Sequence, residues 1–354
     1  MIDPELIAAL PKVVLHDHLD GGLRPATVVE LAADSGHELP TTDPDALGDW
    51  FRAAADSGSL VEYLKTFEHT VAVMQTREAL HRVAREWVLD LAADGAVYAE
   101  ARWAPLQHIA GGLSPAQAVE AVRDGLRAGE AEAAASGRAI TVRQLVTALR
   151  HHPPTLDVAR LAEEYAEDGV AGFDIAGPEL GFRPSRLAVA LSHLRSAHIP
   201  CTIHAGEADG VASIADAIAC GARRIGHGAR LVEDLEPSAS GWALGETAAE
   251  VRERGIVLEV CPSSNIQTGI SAGFADHPFG VLHKAGFRVT VNCDNRLMSA
   301  TTMTRELTLL AEAFDHTVAD LRRFTLDAAA AAFLPDAERR RLVEQHVLPS
   351  FQRA

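Results

Sequence analysis

The chain has 354 residues, with 32 Lys plus Arg against 49 Asp plus Glu, for a formal net charge of −17 at pH 7. That balance repels phosphate backbones and anionic lipid headgroups over a Debye length, which excludes nucleic acid and membrane surfaces as partners. Hydrophobic residues at 47% and charged residues at 23% are enough for a sizeable core and exclude global disorder.

The opening segment MIDPELIAALPK has neither the basic start nor the apolar stretch of a secretory signal, and no uncharged apolar run reaches the roughly 20 residues of a membrane span. A cytoplasmic location is expected. Eight short runs rich in Val and Ile then follow in order: Val13 to His16, Val97 to Arg102, Ile140 to Val146, Val170 to Asp174, Cys201 to His204, Arg224 to His227, Val257 to Cys261 and Val289 to Asn292. Helical patterns separate most of them, for example Ala116 to Ala135, Pro184 to Ala197, Ser213 to Cys220 and Glu246 to Arg254. Parallel strands joined by crossover helices give this alternation, and eight units predict a closed (β/α)8 TIM barrel, α/β in class, forming one domain over residues 1–354.

An open doubly wound sheet normally has fewer strands and often a Gly-rich phosphate turn after the first, whereas here the first run ends in HDHLDGG. About 75 residues separate the first two runs, far beyond an ordinary barrel loop. Their pattern predicts a helical insertion (Pro25 to Ser35, Leu47 to Ala54, Leu60 to Val73, Arg77 to Leu91), and extra helices follow the last strand. The Ala-rich stretch Ala128 to Ala135 reads as a surface helix of high propensity, and Ala328 to Phe333 as a packed helix.

The polar residues at the strand ends carry the chemistry. His16 and His18 stand two apart, so a strand points both imidazoles to one face. His204 ends the fifth run and leads through a small turn to Glu207. His227 ends the sixth between Gly226 and Gly228, where missing side chains would let a ligand approach. Asp294 and Asn295 follow the eighth, and Asp294 would equally serve to cap the next helix. The ends of strands one, five, six and eight meet at the C-terminal face of a barrel, where active sites of this fold lie. Three imidazoles and a carboxylate (His16, His18, His204, Asp294) suit zinc first, with iron or cobalt also fitting, and leave a position for water. Of the three lysines, Lys12, Lys65 and Lys284, none lies where two-metal barrels place a bridging one, so a single ion is expected. The four cysteines (Cys201, Cys220, Cys261, Cys293) form no CxxC pair and suit a reducing compartment.

HDHLDGG (16–22), FDIAGPE (173–179), TIHAGE (202–207), RIGHG (224–228), CPSSN (261–265) and VNCDNRLMS (291–299) together resemble the adenosine deaminase family of the amidohydrolase superfamily, in family order and across the whole chain. The resemblance implies zinc-dependent hydrolytic deamination of adenosine, and of 2′-deoxyadenosine, to inosine-type products and ammonia, by attack of metal-bound hydroxide on purine C6. It matches His16, His18, His204 and Asp294 to the metal ligands, Glu207 to the proton donor for the ring and His227 to the residue supporting the attacking oxygen. It also matches His18, Asp20, Gly177 and Asn295 to substrate contacts, and the insertion to an apolar lid with Leu47, Trp50, Phe51, Leu60 and Phe67 as candidates. Many members carry a second aspartate where this chain has Asn295; its amide still donates to a ring nitrogen.

The implied partner is a small aminopurine nucleoside, with oligomeric state open. Rival readings are a deaminase for adenine, aminodeoxyfutalosine or an adenine nucleotide, whose anionic group Arg24, Arg183, Arg230 or Arg296 would meet; a cyclic amidohydrolase; and a binding protein that keeps the barrel.

Overall fold

The Val- and Ile-rich runs form one parallel sheet in chain order, which the computed structural model describes over residues 2–152, 155–239 and 241–353. Its strands are β1 (Lys12–His18), β2 (Ala96–Trp103), β3 (Thr141–Leu149), β4 (Val170–Ala176), β5 (Cys201–Ala205) and β6 (Arg224–His227). Beyond an inserted antiparallel hairpin of β7 (Leu235–Ser238) and β8 (Gly241–Leu244) come β9 (Val257–Val260) and β10 (Val289–Val291). The eight parallel strands make a nearly closed TIM barrel. The hairpin had no expectation in the sequence reading, because Leu235 to Leu244 alternates too weakly to read as strand.

The seam between β10 and β1 is closed by individual bonds. Asp17 and Asp294 form a parallel bridge, His18 N donates to Asp294 O at 2.7 Å and Asp294 N to His16 O at 3.0 Å. Lower down, the Asn292 side-chain oxygen accepts from Leu15 N and His16 N at 3.0 and 3.1 Å. The barrel therefore closes through residues of its own candidate site.

Around the sheet, α1 (Pro4–Ala9) precedes β1. The expected insertion comprises α2 (Pro25–Ser35), α3 (Pro44–Ala55), α4 (Leu60–Leu64), α5 (Phe67–Val73) and α6 (Arg77–Ala93). Asp43 caps α3 through Ala46 N and Thr76 caps α6 through Ala79 N. The run Leu60 to Val73 breaks at Lys65–Thr66, where the chain turns between two short helices. A capping box of Ser114 and Gln117 starts α7 (Pro115–Ala135), which packs on α6. The Ala-rich end of α7 is only half a surface helix: Gly129 and Ala133 are buried while Ala134 and Ala135 face out.

Next come α8 (Thr155–Glu164), α9 (Ala188–Ser196), α10 (Val211–Ala219), α11 (Glu246–Arg254), α12 (Pro262–Gln267), α13 (Phe279–Lys284) and α14 (Arg296–Ser299). The chain continues with α15 (Met303–Phe314), α16 (Val318–Ala331), α17 (Asp336–Arg341) and α18 (Leu348–Arg353). The expected helix Ala328 to Phe333 stops at Ala331; Phe333 leaves it and lays its ring 3.6 Å from the Arg224 guanidinium carbon. Among the described residues no helix is long and apolar enough to cross a membrane.

The barrel strands are buried on both faces, as parallel strands under helices must be. Their interior is not purely apolar. Glu100, Arg102, Asp174, Arg224 and Glu259 sit inside it with side chains at most 1% exposed. Arg102 bonds Glu259 at 2.8 Å, and Arg224 bonds Glu259 at 2.5 Å and also Glu100. Each buried charge meets an opposite one, which such burial requires.

Candidate active site

At the C-terminal rim of the barrel, β1, β5 and the turn after β10 bring His16, His18, His204 and Asp294 together, with their ligand atoms within 4.8 Å of one another. His16 Nε2 and His18 Nε2 both lie 3.3 Å from Asp294 Oδ1, and His18 Nε2 lies 3.3 Å from His204 Nε2. The strand spacing of two thus does aim both imidazoles at one point. Asp294 is not a helix cap; Asn295 precedes α14 and makes no side-chain cap bond there.

The outer nitrogens fix the tautomers. His16 Nδ1 donates to Glu259 at 3.0 Å and His204 Nδ1 donates to Asp174 at 3.0 Å, so each presents an Nε2 lone pair to the cluster. His16 Nε2 has no hydrogen-bond partner. The His16 Nε2 lone pair and the Asp294 carboxylate oxygen face each other at 3.3 Å and repel unless a cation sits between them. Bonds of ~2.1 Å at the tetrahedral angle span about 3.4 Å, so these edges fit a zinc-sized ion. Burial holds the His18 pKa down at about 3 and lowers that of His204, keeping both neutral. Burial also opposes charge on Asp294, but contact with the surrounding imidazoles of His16, His227 and His18 outweighs it and holds the carboxyl well below its usual range.

Glu207 and His227 stand beside this cluster, 3.5 Å apart, 5% and 1% exposed. Burial, then the negative charges of Asp294 and Glu179, push the Glu207 carboxyl far above its ordinary 4.5. Its surroundings therefore favour the protonated, neutral form. Burial and the neighbouring His16 hold His227 uncharged. The Asn265 amide nitrogen donates to His227 Nδ1 at 3.0 Å, placing the ring proton on Nε2, toward Glu207. His227 and Asp294 both have φ of +61°, a left-handed backbone that costs free energy in a residue with a side chain.

Gly226 has a different role from the one its motif suggests. A Cβ there would lie 3.1 Å from His204 Cα and 3.2 Å from the His16 ring, so the missing side chain makes room for the site's own histidines rather than for a ligand. Gly21 likewise leaves space for Asn295, whose Oδ1 would lie 1.9 Å from an added Cβ.

Above the cluster opens a cavity of about 190 Å³, lined by His18, Asp20, Val61, Phe67, Gly177 and Pro178 among others. Asp20 is 3% exposed with one oxygen unpartnered, and Asn295 is also buried with Oδ1 unpartnered, so both keep polar atoms free at the site. Of the apolar lid candidates, Phe67 faces this cavity; Leu47 and Phe51 are fully buried in the core, and Trp50 packs against Phe51 and His69. The four arginines that could meet an anion are otherwise engaged. Arg24 pairs with Asp90, Arg230 with Glu233 and Arg296 with Asp17, while Arg183 lies 4.0 Å from Asp209.

Several supporting residues escaped the sequence reading. Glu179 accepts from four successive backbone N–H groups, Gly206 to Asp209, at 2.6 to 3.0 Å, and so fixes the loop that carries Glu207. Asp174, Glu179 and Asn265 lie inside recognised motifs, but their partners are distant in sequence. Glu259 left a signal: a lone carboxylate in the apolar run VLEV.

Residues 11–347 match the family described as Adenosine deaminase. The chain is 54% identical over 348 residues to an adenosine deaminase of Mycolicibacterium vanbaalenii, covering 98% of this chain and 96% of the relative. It is 51% identical over 353 residues to one of Mycobacteroides abscessus, covering 99% and 98%. An amidohydrolase from Burkholderia ambifaria, solved with bound Zn, superposes with a TM-score of 0.86 at 26% identity, over 100% of this chain and 94% of the other. With a family match over residues 11–347 and relatives 51% and 54% identical across nearly its whole length, the chain belongs to the adenosine deaminase family.

Proposed function

We propose that this protein hydrolyses adenosine and 2′-deoxyadenosine to the corresponding inosines and ammonia, with one zinc ion held by His16, His18, His204 and Asp294. The observation that carries the reading is a buried Glu207, in surroundings that favour its protonated form, set beside a metal-shaped cluster. Bound there, a zinc ion supplies Lewis acidity and lowers the pKa of water toward neutrality.

The chain's own groups do the rest. Asp20 binds the sugar, and Gly177 and Asn295 face the base, with the Asn295 amide donating to a ring nitrogen. The apolar wall of Val61 and Phe67 excludes bulk water. Glu207 gives its proton to the ring nitrogen next to C6 as water adds to that carbon. His227, through its Nε2 proton, and Asp294, as a carboxylate acceptor, orient the attacking water. The proton that the water gives up to Asp294 passes to the amino group, which leaves as ammonia, and the C6 hydroxyl proton returns to Glu207 as the carbonyl of the product forms.

A nucleoside is favoured over a nucleotide because the candidate arginines are engaged by carboxylates of the chain, leaving an incoming phosphate to compete with them. Incubation with adenosine, 2′-deoxyadenosine, adenine, AMP and aminodeoxyfutalosine, with ammonia measured before and after chelator, tests this. Turnover of the two nucleosides, lost with chelator, is expected. Preference for another member of the panel would reassign the substrate, and ammonia from none would defeat the deaminase reading.

A further inference from the structure

Outside the barrel mouth, His283 on α13, His316 in the turn after α15 and Asp320 on α16 offer ligand atoms that all lie within 4.8 Å of one another. His283 Nε2 is 3.7 Å from Asp320 Oδ1. A tetrahedral edge at zinc–ligand bond lengths is about 3.4 Å, so the His283–Asp320 edge is slightly long, and the separations to His316, within 4.8 Å, would shorten to it by side-chain rotation.

Each donor is already oriented. Asp320 belongs to the capping box of α16: its Oδ2 accepts from Thr317 N and Thr317 Oγ1, both at 2.7 Å, while Oδ1 faces His283. His316 is 8% exposed, and its Nε2 is buried with no hydrogen-bond partner. The rings of Phe279, Phe314 and Phe324 surround it at centroid distances of 5.8, 5.7 and 5.2 Å and offer no conventional acceptor. A buried polar atom without a partner is costly, and an ion would satisfy it. Burial brings the His316 pKa down to about 4 and lowers that of His283 as well, so both imidazoles are neutral and ready to ligate near pH 7. The side chains of His283 and Asp320 are 26% and 33% exposed, which leaves a path for an ion to enter.

We propose that His283, His316 and Asp320 form a second divalent-metal site, for zinc or a similar borderline ion, that clips α13 to the start of α16. Two imidazoles and one carboxylate, with water in the remaining position, make a donor set suited to such ions. Binding there is independent of the deaminase chemistry.

The full chain, stripped with chelator and titrated with Zn²⁺ or Co²⁺, reads this out as bound metal per chain. His283→Ala is expected to bind one equivalent fewer than the unaltered chain while adenosine turnover stays the same. Removing outer-shell partners of a metal costs ~10–100-fold in affinity, so loss of a direct ligand in Asp320→Asn should weaken the second equivalent at least as much. That variant keeps an oxygen for Thr317 and carries the comparison if His283→Ala disturbs folding. In a His204→Ala background, added Zn²⁺ should raise the thermal midpoint, and His204→Ala/His283→Ala should lose that rise. Equal metal content in the unaltered and His283→Ala chains, or an undiminished second equivalent in Asp320→Asn, overturns the site.

Discussion

Glu207 and Asp294 are both buried carboxyls in one small site, yet their surroundings drive them into opposite charge states. Burial and two neighbouring carboxylates keep Glu207 protonated; imidazole contacts keep Asp294 ionised. The proposed reaction needs that division, an acid beside the purine nitrogen and an anion beside the attacking water. Glu207→Gln should keep the fold and bound zinc but lower kcat by ~10²–10⁴-fold, the usual worth of a positioned acid. Steady-state rates and metal content on the same sample would check it, and near-normal turnover would remove Glu207 from the proton path. The residue types and their strand-end positions were legible in the sequence. The charge states were not, because they depend on burial and on His16, Glu179 and Asp294 arriving from other strands and loops.

At the scale of elements, α6 and α7 approach so closely that two glycines are obligatory. A Cβ on Gly125 would lie 2.3 Å from His81 O, and one on Gly129 would lie 2.6 Å from Val88 Cβ. Alanine normally favours a helix over glycine by about 1 kcal/mol, but here overpacking of ~1–3 kcal/mol opposes that gain. Gly125→Ala should therefore destabilise the chain or at best leave it unchanged, where propensity alone predicts stabilisation. Ala134→Gly, on the exposed face of the same helix, should cost about 1 kcal/mol. Urea midpoints of the two variants test the packing, and a clearly stabilised Gly125→Ala would contradict it. Periodicity located both helices, since that signal is local. Their contact face was missed because an alanine-rich surface and an alanine-rich interface look alike until the partner is in place.

Over the whole molecule, the barrel interior holds the charged set of Arg102, Arg224, Glu100, Asp174 and Glu259, which also orients His16 and His204. Arg224→Met would leave Glu100 without its bidentate partner and should cost about 3–5 kcal/mol, as broken buried pairs do. Burial works to raise the Glu259 pKa, but Arg102, Arg224 and His16 outweigh it and hold it well below 4.5. A carboxyl depressed on folding contributes stability that is fully present above its unfolded value and is lost as pH falls through its folded one. Stability should therefore fall from about pH 5 downward, and less steeply in Arg224→Met, where Glu259 has lost one cation. Urea unfolding at several pH values would show it; parallel pH profiles for the two chains would count against the network. Sequence by itself determined the eight strands, the insertion, the residues at the strand ends and the family, because period and motif are properties of neighbouring residues. Only the tertiary structure decided that the barrel closes through Asp17, Asn292 and Asp294. It alone showed that charges fill the barrel interior, that Glu179 holds the Glu207 loop and that His283, His316 and Asp320 meet. Each of these joins residues far apart in the chain, and their interaction exists only once the core has excluded water and brought them within bonding distance.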